Sequence, residues 1–371
     1  MPESFKLRKG FDIKLAGRAK PTLEGYHESR LYGVKPPEFP GLIPRLAVKQ
    51  GDPVKAGTVL FTDKKKPEIR FASPVSGVVK DIIRGEQRRV LSVVIEKQGD
   101  SFEEFGRLNA DSASRGEIIG KLLEGGLWPA IRQRPYHIIA DPAARPKSIF
   151  ISGFDTAPLA PDMNFVMDNS PAGYFNAGLK AISKLTEGKV HLVLNSASEP
   201  SSLLKNAANV QISYFSGPHP AGNVGVHIHH LDPVNKGETV WYINLQDVIS
   251  AGRLFEEGRY KHERIIALAG PEVKNPCYYL IRTGAGRGDL TRERINEGDN
   301  RIISGNVLTG SNEGSEGFLG YYDSMVTVIP EGRYYEFFGW AKPGINKYSF
   351  SKTFLSALFR KKEYRLDTNM H

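Results

Sequence analysis

Residues 48–79 constrain the fold most. Val48-Lys49-Gln50-Gly51-Asp52-Pro53-Val54-Lys55-Ala56-Gly57-Thr58-Val59-Leu60 is followed, after a lysine-rich turn, by Phe71-Ala72-Ser73-Pro74-Val75-Ser76-Gly77-Val78-Val79. Gly51-Asp52 and Gly57 suit tight turns that need a positive φ or an Asx bond. Val48, Val54, Val59, Phe61, Val75, Val78 and Val79 are β-branched or aromatic strand formers, and Pro74 fits a strand start or edge. The stretch reads as two short β halves joined by a hairpin.

Those halves carry "GDxVxxGxxL" and "SPxxGxV", and together they resemble the barrel-sandwich hybrid of biotinyl and lipoyl domains. Modules of this kind are either swinging-arm carriers or parts of large electron-transfer subunits, and the rest of the 371-residue chain decides between them. That length allows about two or three domains. With 40% hydrophobic and 25% charged residues the chain reads as an ordinary globular protein. No apolar run approaches the ~18 residues of a membrane span, and the N-terminus lacks a signal-peptide apolar region. A single cysteine, Cys277, excludes an intrachain disulfide and a cluster ligated by this chain's cysteines alone. In its strand-like setting Cys277 reads as a small buried hydrophobe. The net charge of +9 raises the question of nucleic acid, but the basic residues are spread along the chain and mixed with acids. The clusters Lys64-Lys65-Lys66, Arg88-Arg89 and Arg360-Lys361-Lys362 have no interleaved aromatics, so no nucleic-acid partner is expected. An anionic membrane surface or an acidic partner protein fits the charge better.

The expected organisation is α+β and multidomain. An N-terminal extended segment (1–35) supplies edge strands and precedes the barrel-sandwich hybrid (36–100). A Rossmann-like α/β domain (101–257) and a β-grasp domain (258–329) follow. The last part is an aromatic-rich, partly helical C-terminal segment (330–371). Ser114-x-x-Glu117 is a capping box for a helix carrying Ile118, Ile119, Leu122 and Leu123, closed by Gly125-Gly126. Strands at 148–152, 190–194 and 210–214 alternate with helices at 174–185, 201–208 and 246–257. This spacing predicts a parallel sheet with crossover helices.

Gly270-Pro271-Glu272-Val273-Lys274-Asn275-Pro276-Cys277, running on to Gly284, is similar to the hallmark "GxxVxxPGxYxxxxG" of soluble-ligand-binding β-grasp (SLBB) modules, with Cys277 in place of a glycine. The order of barrel-sandwich, Rossmann-like and β-grasp units resembles one superfamily. It includes the flavoprotein subunit of respiratory complex I, the C subunit of the Rnf complex and the A subunit of the Na+-translocating NADH:quinone oxidoreductase. The resemblance is strongest to the last, over essentially the whole chain. It rests on Gly125-Gly126-Leu127-Trp128-Pro129-Ala130-Ile131-Arg132-x-Arg134-Pro135, on Phe215-Ser216-Gly217-Pro218-His219-Pro220-Ala221-Gly222, on Val240-Trp241-x-Ile243-Asn244-x-Gln246-Asp247, and on Phe338-Gly339-Trp340. Proteins of that family run on beyond a position equivalent to residue 371, so the C-terminal segment reads as truncated.

Departures from the flavin-binding relatives shape the functional expectation. Their glycine-rich "GxGGxGFP" phosphate loop is replaced by Gly126-Leu127-Trp128-Pro129-Ala130, where Trp128 takes space and Pro129 removes a donor. Their acidic "N-x-x-E-x-E-P" stretch reads here Ser152-Gly153-Phe154-Asp155-Thr156-Ala157-Pro158, and their Gly-Glu loop reads Gly217-Pro218-His219-Pro220. Their cluster-binding cysteines are missing. The resemblance therefore implies a peripheral subunit on the cytoplasmic face of a bacterial inner membrane, with no catalytic residues, no metal and no tightly bound redox cofactor of its own. It would dock chiefly on the membrane-embedded B subunit of a complex that uses FAD, FMN, riboflavin, iron–sulfur, NADH and quinone, and would support quinone reduction coupled to Na+ export. The old nucleotide cleft, lined by Trp128, Phe154, Asp155, Gly217, Pro218, His219 and Gly222, is expected to grip a partner segment or the quinone headgroup.

Competing readings of single motifs are blander. Asp63-Lys64-Lys65-Lys66 stands where a lipoyl or biotinyl carrier is modified, but also reads as a solvated basic hairpin. His227 and His229, read on a strand, share a face near His219 and invite a zinc site, yet lack the companions of one. Asp155 reads as a general base or as an Asx-turn residue. The aromatics Phe337, Phe338, Trp340, Tyr348, Phe350, Phe354 and Phe359 read first as core and next as a dock. A flavin- or NADH-binding subunit with a degenerate site, and a carrier, remain the alternatives.

Overall fold

The computed structural model describes residues 2–312, 314–334, 336–359 and 363–368; the basic cluster at 360–362 lies outside them. The barrel-sandwich hybrid is built from a four-stranded sheet (Leu31–Val34, Val90–Lys97, Gly77–Arg84, Pro53–Val54) and a three-stranded one (Pro44–Leu46, Val59–Asp63, Arg70–Ala72). Val54, Leu60, Phe61, Phe71, Val75, Val79, Val93 and Ile95 fill its core, with the rings of Phe61 and Phe71 stacked at 4.6 Å. Gly77 is required by close approach, because a Cβ there would sit 2.0 Å from the Glu96 carbonyl oxygen. Lys64 and Lys65 are exposed on the hairpin tip, and Lys66 pairs with Asp141 at 2.7 Å.

The α/β domain centres on a seven-stranded sheet in the order Ser4–Lys6, Gln211–Ser216, Val190–Asn195, Ile149–Ser152, Val240–Asn244, Arg132–Arg134, Ile138–Ile139. The first five are parallel and the last two antiparallel. Central strands carry continuous apolar runs, as burial on both faces demands. The Ser114 capping box forms as expected: its Oγ accepts from the Glu117 N–H while the Glu117 carboxylate accepts from the Ser114 N–H, and this starts the helix Arg115–Glu124. Helices Ala172–Ser183 and Leu245–Glu257 cross at Gly178 and Gly252, where a Cβ would come within 2.0 Å of the Val248 carbonyl oxygen or 1.8 Å of that of Tyr174.

The SLBB unit is a six-stranded sheet ordered Ser311–Asn312, Asn300–Ser304, Met325–Pro330, Glu263–Ala269, Cys277–Arg282, Leu23–Tyr26. Cys277 is buried in it. The N-terminal segment thus places Ser4–Lys6, Leu23–Tyr26 and Leu31–Val34 in three different sheets, tying the three domains together.

Two features of the C-terminal half correct the sequence reading. His227, His229 and His230 lie on the helix Val224–Leu231, not a strand. Val224, Ile228 and Leu231, at i, i+4 and i+7, pack on Phe150 and Tyr242, and this helical period overrides the alternation of Val226, Ile228 and their histidines. Among the described C-terminal aromatics Phe354 and Tyr364 are buried, whereas Phe337, Phe338, Trp340, Phe350 and Phe359 are exposed, and the helical structure among the described residues there is two single-turn 3₁₀ helices, Gly339–Ala341 and Leu355–Ala357.

The first turn of the helix Leu245–Glu257 fastens the α/β domain to the SLBB sheet. The Gln246 amide accepts from the Ile265 N–H (2.7 Å) and donates to its carbonyl (2.9 Å). Asp247 Oδ1 accepts from Arg264 and from His262 Nε2 (2.8 Å), all three side chains being fully buried. Burial alone would raise the Asp247 pKa, but Arg264 and the His262 bond bring it below the ordinary range, whereas burial lowers that of His262.

Both kinds of close packing can be tested by substitution. Gly252→Ala should lower stability by about 1–3 kcal/mol through overpacking, while Gly120→Ala, with nothing within 4 Å of its Cβ, should raise it by up to about 1 kcal/mol; urea unfolding of both variants checks this. Asp247→Ala strands the Arg264 charge and should cost about 3–5 kcal/mol in the same assay.

Candidate functional site

The strands Ile149–Ser152 and Val240–Asn244 are parallel neighbours in the sheet, so their C-terminal ends lie side by side. The crevice beyond their C-terminal ends is where open α/β sheets take ligands. A cavity of about 350 Å³ lies there, between the α/β domain and the SLBB unit, and its lining includes Arg132, Arg134, His137, Phe154, Asp155, Gly222, Tyr242, Asn244, Tyr322 and Asp323. A second cavity of about 360 Å³ shares Phe154, Asp155, Pro161 and Met163 with it and is bounded on its far side by Arg18 and Tyr278.

The residues singled out from the sequence divide into three groups. Phe154, Asp155 and Gly222 line the cleft. Asp155 is exposed and its Oδ1 accepts from the Ala157 N–H (2.8 Å), an Asx turn. Gly217, Pro218 and His219 stand behind them against the N-terminal segment. The His219 N–H donates to Asp12 Oδ1 (3.0 Å), its carbonyl accepts from the Phe11 N–H (2.8 Å), and a Cβ on Gly217 would meet the Leu7 carbonyl oxygen at 2.5 Å. Thr156 links the two groups, its Oγ1 accepting from the Gly222 N–H (3.0 Å) and lying 3.2 Å from His219 Nδ1.

Trp128 stands apart and does not line the cleft. It is fully buried in the 3₁₀ turn Trp128–Ala130, donates from Nε1 to the Ala140 carbonyl (2.8 Å), and packs edge-on against Trp241 at 5.5 Å. The turn is closed on itself. The N–H groups of Gly125, Gly126, Leu127, Ala130 and Ile131 all donate to carbonyls between Lys121 and Trp128, and Pro129 has none to offer. His227 is buried with Nε2 2.8 Å from the Ala221 carbonyl oxygen, and burial pushes its pKa down to about 4. His229 and His230 are exposed, and among the described residues no group of three His, Cys, Asp or Glu could hold a metal.

The cleft residues that sequence reasoning passed over are Arg132, Arg134, His137, Tyr242 and Tyr322. The Arg132 guanidinium lies between the rings of Tyr322 (3.9 Å) and Tyr242 (4.5 Å), with Arg134 5.4 Å from Tyr242. The ring of His137 stacks on Tyr242, and its Nδ1 is bonded to the Tyr242 hydroxyl. The signal was present in Arg132-x-Arg134, two like charges on one face of a short strand, but the partners Tyr242 and Tyr322 come from residues a hundred or more positions away.

Fold and cleft together define the class: a three-part protein of barrel-sandwich, α/β and SLBB domains. Residues 5–98 match the family model of the NqrA N-terminal barrel-sandwich hybrid domain, 113–260 that of the NqrA second alpha/beta domain, and 265–313 that of the NQRA C-terminal domain. The chain is 42% identical over 376 aligned positions to a protein of Yersinia pestis bv. Antiqua named as the A subunit of a Na(+)-translocating NADH-quinone reductase, covering 99% of this chain and 82% of that one. A protein of the same name in Photorhabdus laumondii is 40% identical with the same coverage. The chain belongs to the NqrA family, the A subunit of the Na+-translocating NADH-quinone reductase. Among solved structures, an NAD+-reducing [NiFe]-hydrogenase aligns over 61% of this chain and 48% of its own at a TM-score of 0.40 and 13% identity, too weak a likeness to argue from.

Burial and the neighbouring Arg132 and Arg134 push the His137 pKa down to about 4 from an ordinary 6.5. Between those values the unfolded chain binds a proton that the folded one refuses, so stability should fall as pH drops from about 6.5 toward 4. His137→Gln should flatten part of that acid limb in melting temperature against pH, and His227 contributes in the same window.

Proposed function

We propose that this chain is the peripheral, cytoplasmic-face subunit of the sodium-pumping NADH:quinone reductase, and that it supports quinone reduction coupled to Na+ export while holding no redox cofactor of its own. The flavins and iron–sulfur centre would sit in other subunits, with the membrane-embedded B subunit as the main dock. The observation that carries this reading is the closed 125–131 turn. Flavin-binding relatives need free backbone N–H groups there, and here they are spent on local carbonyls, with Trp128 and Pro129 packed beneath. No helix among the described residues is long and apolar enough to cross a membrane, which fits a protein held at the membrane by others.

In this reading the cleft grips a partner segment or the quinone headgroup through the rim of Phe154, Asp155 and Gly222. Gly217, Pro218 and His219 back that rim through Thr156, and Trp128 serves it only as a rigid base. The exposed Lys64 and Lys65 do not favour a carrier: the strand Leu31–Val34 ties the barrel-sandwich unit to an N-terminal segment that also pairs in the other two sheets, where a swinging arm needs freedom.

The first test is affinity capture of the tagged chain from detergent-solubilised host membranes. Recovery of several membrane subunits, with a flavin- and iron–sulfur-containing NADH dehydrogenase among them, supports the reading. A lone chain purified yellow with about one flavin overturns it. His219→Ala should lower quinone reductase activity of the assembled complex about five-fold, the worth of one ~1 kcal/mol hydrogen bond, without releasing flavin; unchanged activity with normal assembly would discard the cleft's role.

A further inference from the structure

The Arg132–Arg134 end of the cleft has chemistry that the proposed role does not use. The two residues alternate along the strand Arg132–Arg134, so their side chains leave it on one face. Neither forms an ion pair with a carboxylate among the described residues, and the Nε of each is shut from solvent without a partner. Arg132 reaches His137 Nε2 and Asn244 Oδ1 only at 3.5 Å, the outer limit of a hydrogen bond. A guanidinium held by ring faces on both sides keeps its donor edge for a bidentate oxyanion.

The surroundings reinforce that preference. The helices Val224–Leu231 and Leu245–Glu257 both begin at this cavity, and their N-cap residues Asn223 and Asn244 make no side-chain cap bond, so the positive ends of two helix dipoles meet the same space. The cavity is not uniformly basic, because Asp155 and Asp323 line it too. Each has one oxygen engaged, by the Ala157 N–H and by the Ser304 hydroxyl. Phe154, Met163, Ile243 and Met325 supply apolar wall. Such a lining suits a ligand with an oxyanion on a body that carries hydrogen-bond donors.

We propose that this end of the cleft binds a small phosphate monoester, the phosphate clamped by Arg132 and Arg134 and the donor-bearing body meeting Asp155 and Asp323. The site differs from a flavin-phosphate loop, whose place here is taken by the closed 125–131 turn. Binding of this kind requires no role of the cleft in quinone reduction.

The test titrates the full chain with inorganic phosphate and, separately, with adenosine 5′-monophosphate, read by calorimetry and by ³¹P line broadening. Saturable binding is expected, tighter for the nucleotide. Arg134→Gln and Arg132→Gln should each weaken it about ten-fold or more, the loss of a charge-assisted bond, while Arg88→Gln on the remote hairpin leaves it unchanged. Bound phosphate should also move the titration of the His137 ring upward, because an anion now offsets two neighbouring guanidiniums; this readout needs no variant to fold. Absence of saturable binding by either probe, binding indifferent to both arginine variants, or an unmoved His137 titration would overturn the proposal.

Discussion

One fastening holds the architecture in place: the first turn of the helix Leu245–Glu257 against the strand Glu263–Ala269. Gln246 completes the backbone pairing of Ile265 as an extra strand would, and Asp247 neutralises the buried Arg264 while orienting His262. Because these groups are fully desolvated, their interactions are strong and intolerant of a missing partner. The α/β and SLBB domains therefore meet at a fixed angle, and the cleft between them has a fixed shape.

The same helix fixes the other side of the α/β domain. At Gly178 and Gly252 it lies backbone to backbone against Ala172–Ser183, which no side chain at either position would permit. Asn244, just before that helix, sits at the end of the strand Val240–Asn244 and opens onto the cavity. One continuous run, from strand to helix to the next strand, thus carries a cleft wall, a helix crossing and the interdomain fastening. It coincides with a stretch through which the sequence resembles its family.

Much of this was legible in the residues. Turn glycines and β-branched alternation marked the barrel-sandwich unit, and Ser114 with Glu117 marked a helix start that forms with both reciprocal bonds. Local rules worked because the signal and the structure lie within a few residues of each other. The histidines at 227–230 mislead for the same reason. Alternating apolar residues look like a strand until Phe150 and Tyr242 are known to await positions 224, 228 and 231. Analogy with a phosphate loop puts Trp128 in the cleft, but its indole N–H is satisfied by Ala140 and its ring by Trp241, which turns it inward.

The sequence by itself determined the order of the three domains and the family, because each is written in contiguous residues whose backbone demands are local. Only the tertiary structure decided which side chains share the cleft. Arg132, Tyr242 and Tyr322 come from three separate elements, and Asp155 and His219 meet only through Thr156. Such contacts depend on how a parallel sheet and an SLBB sheet are clamped together, a long-range packing outcome that no local pattern records.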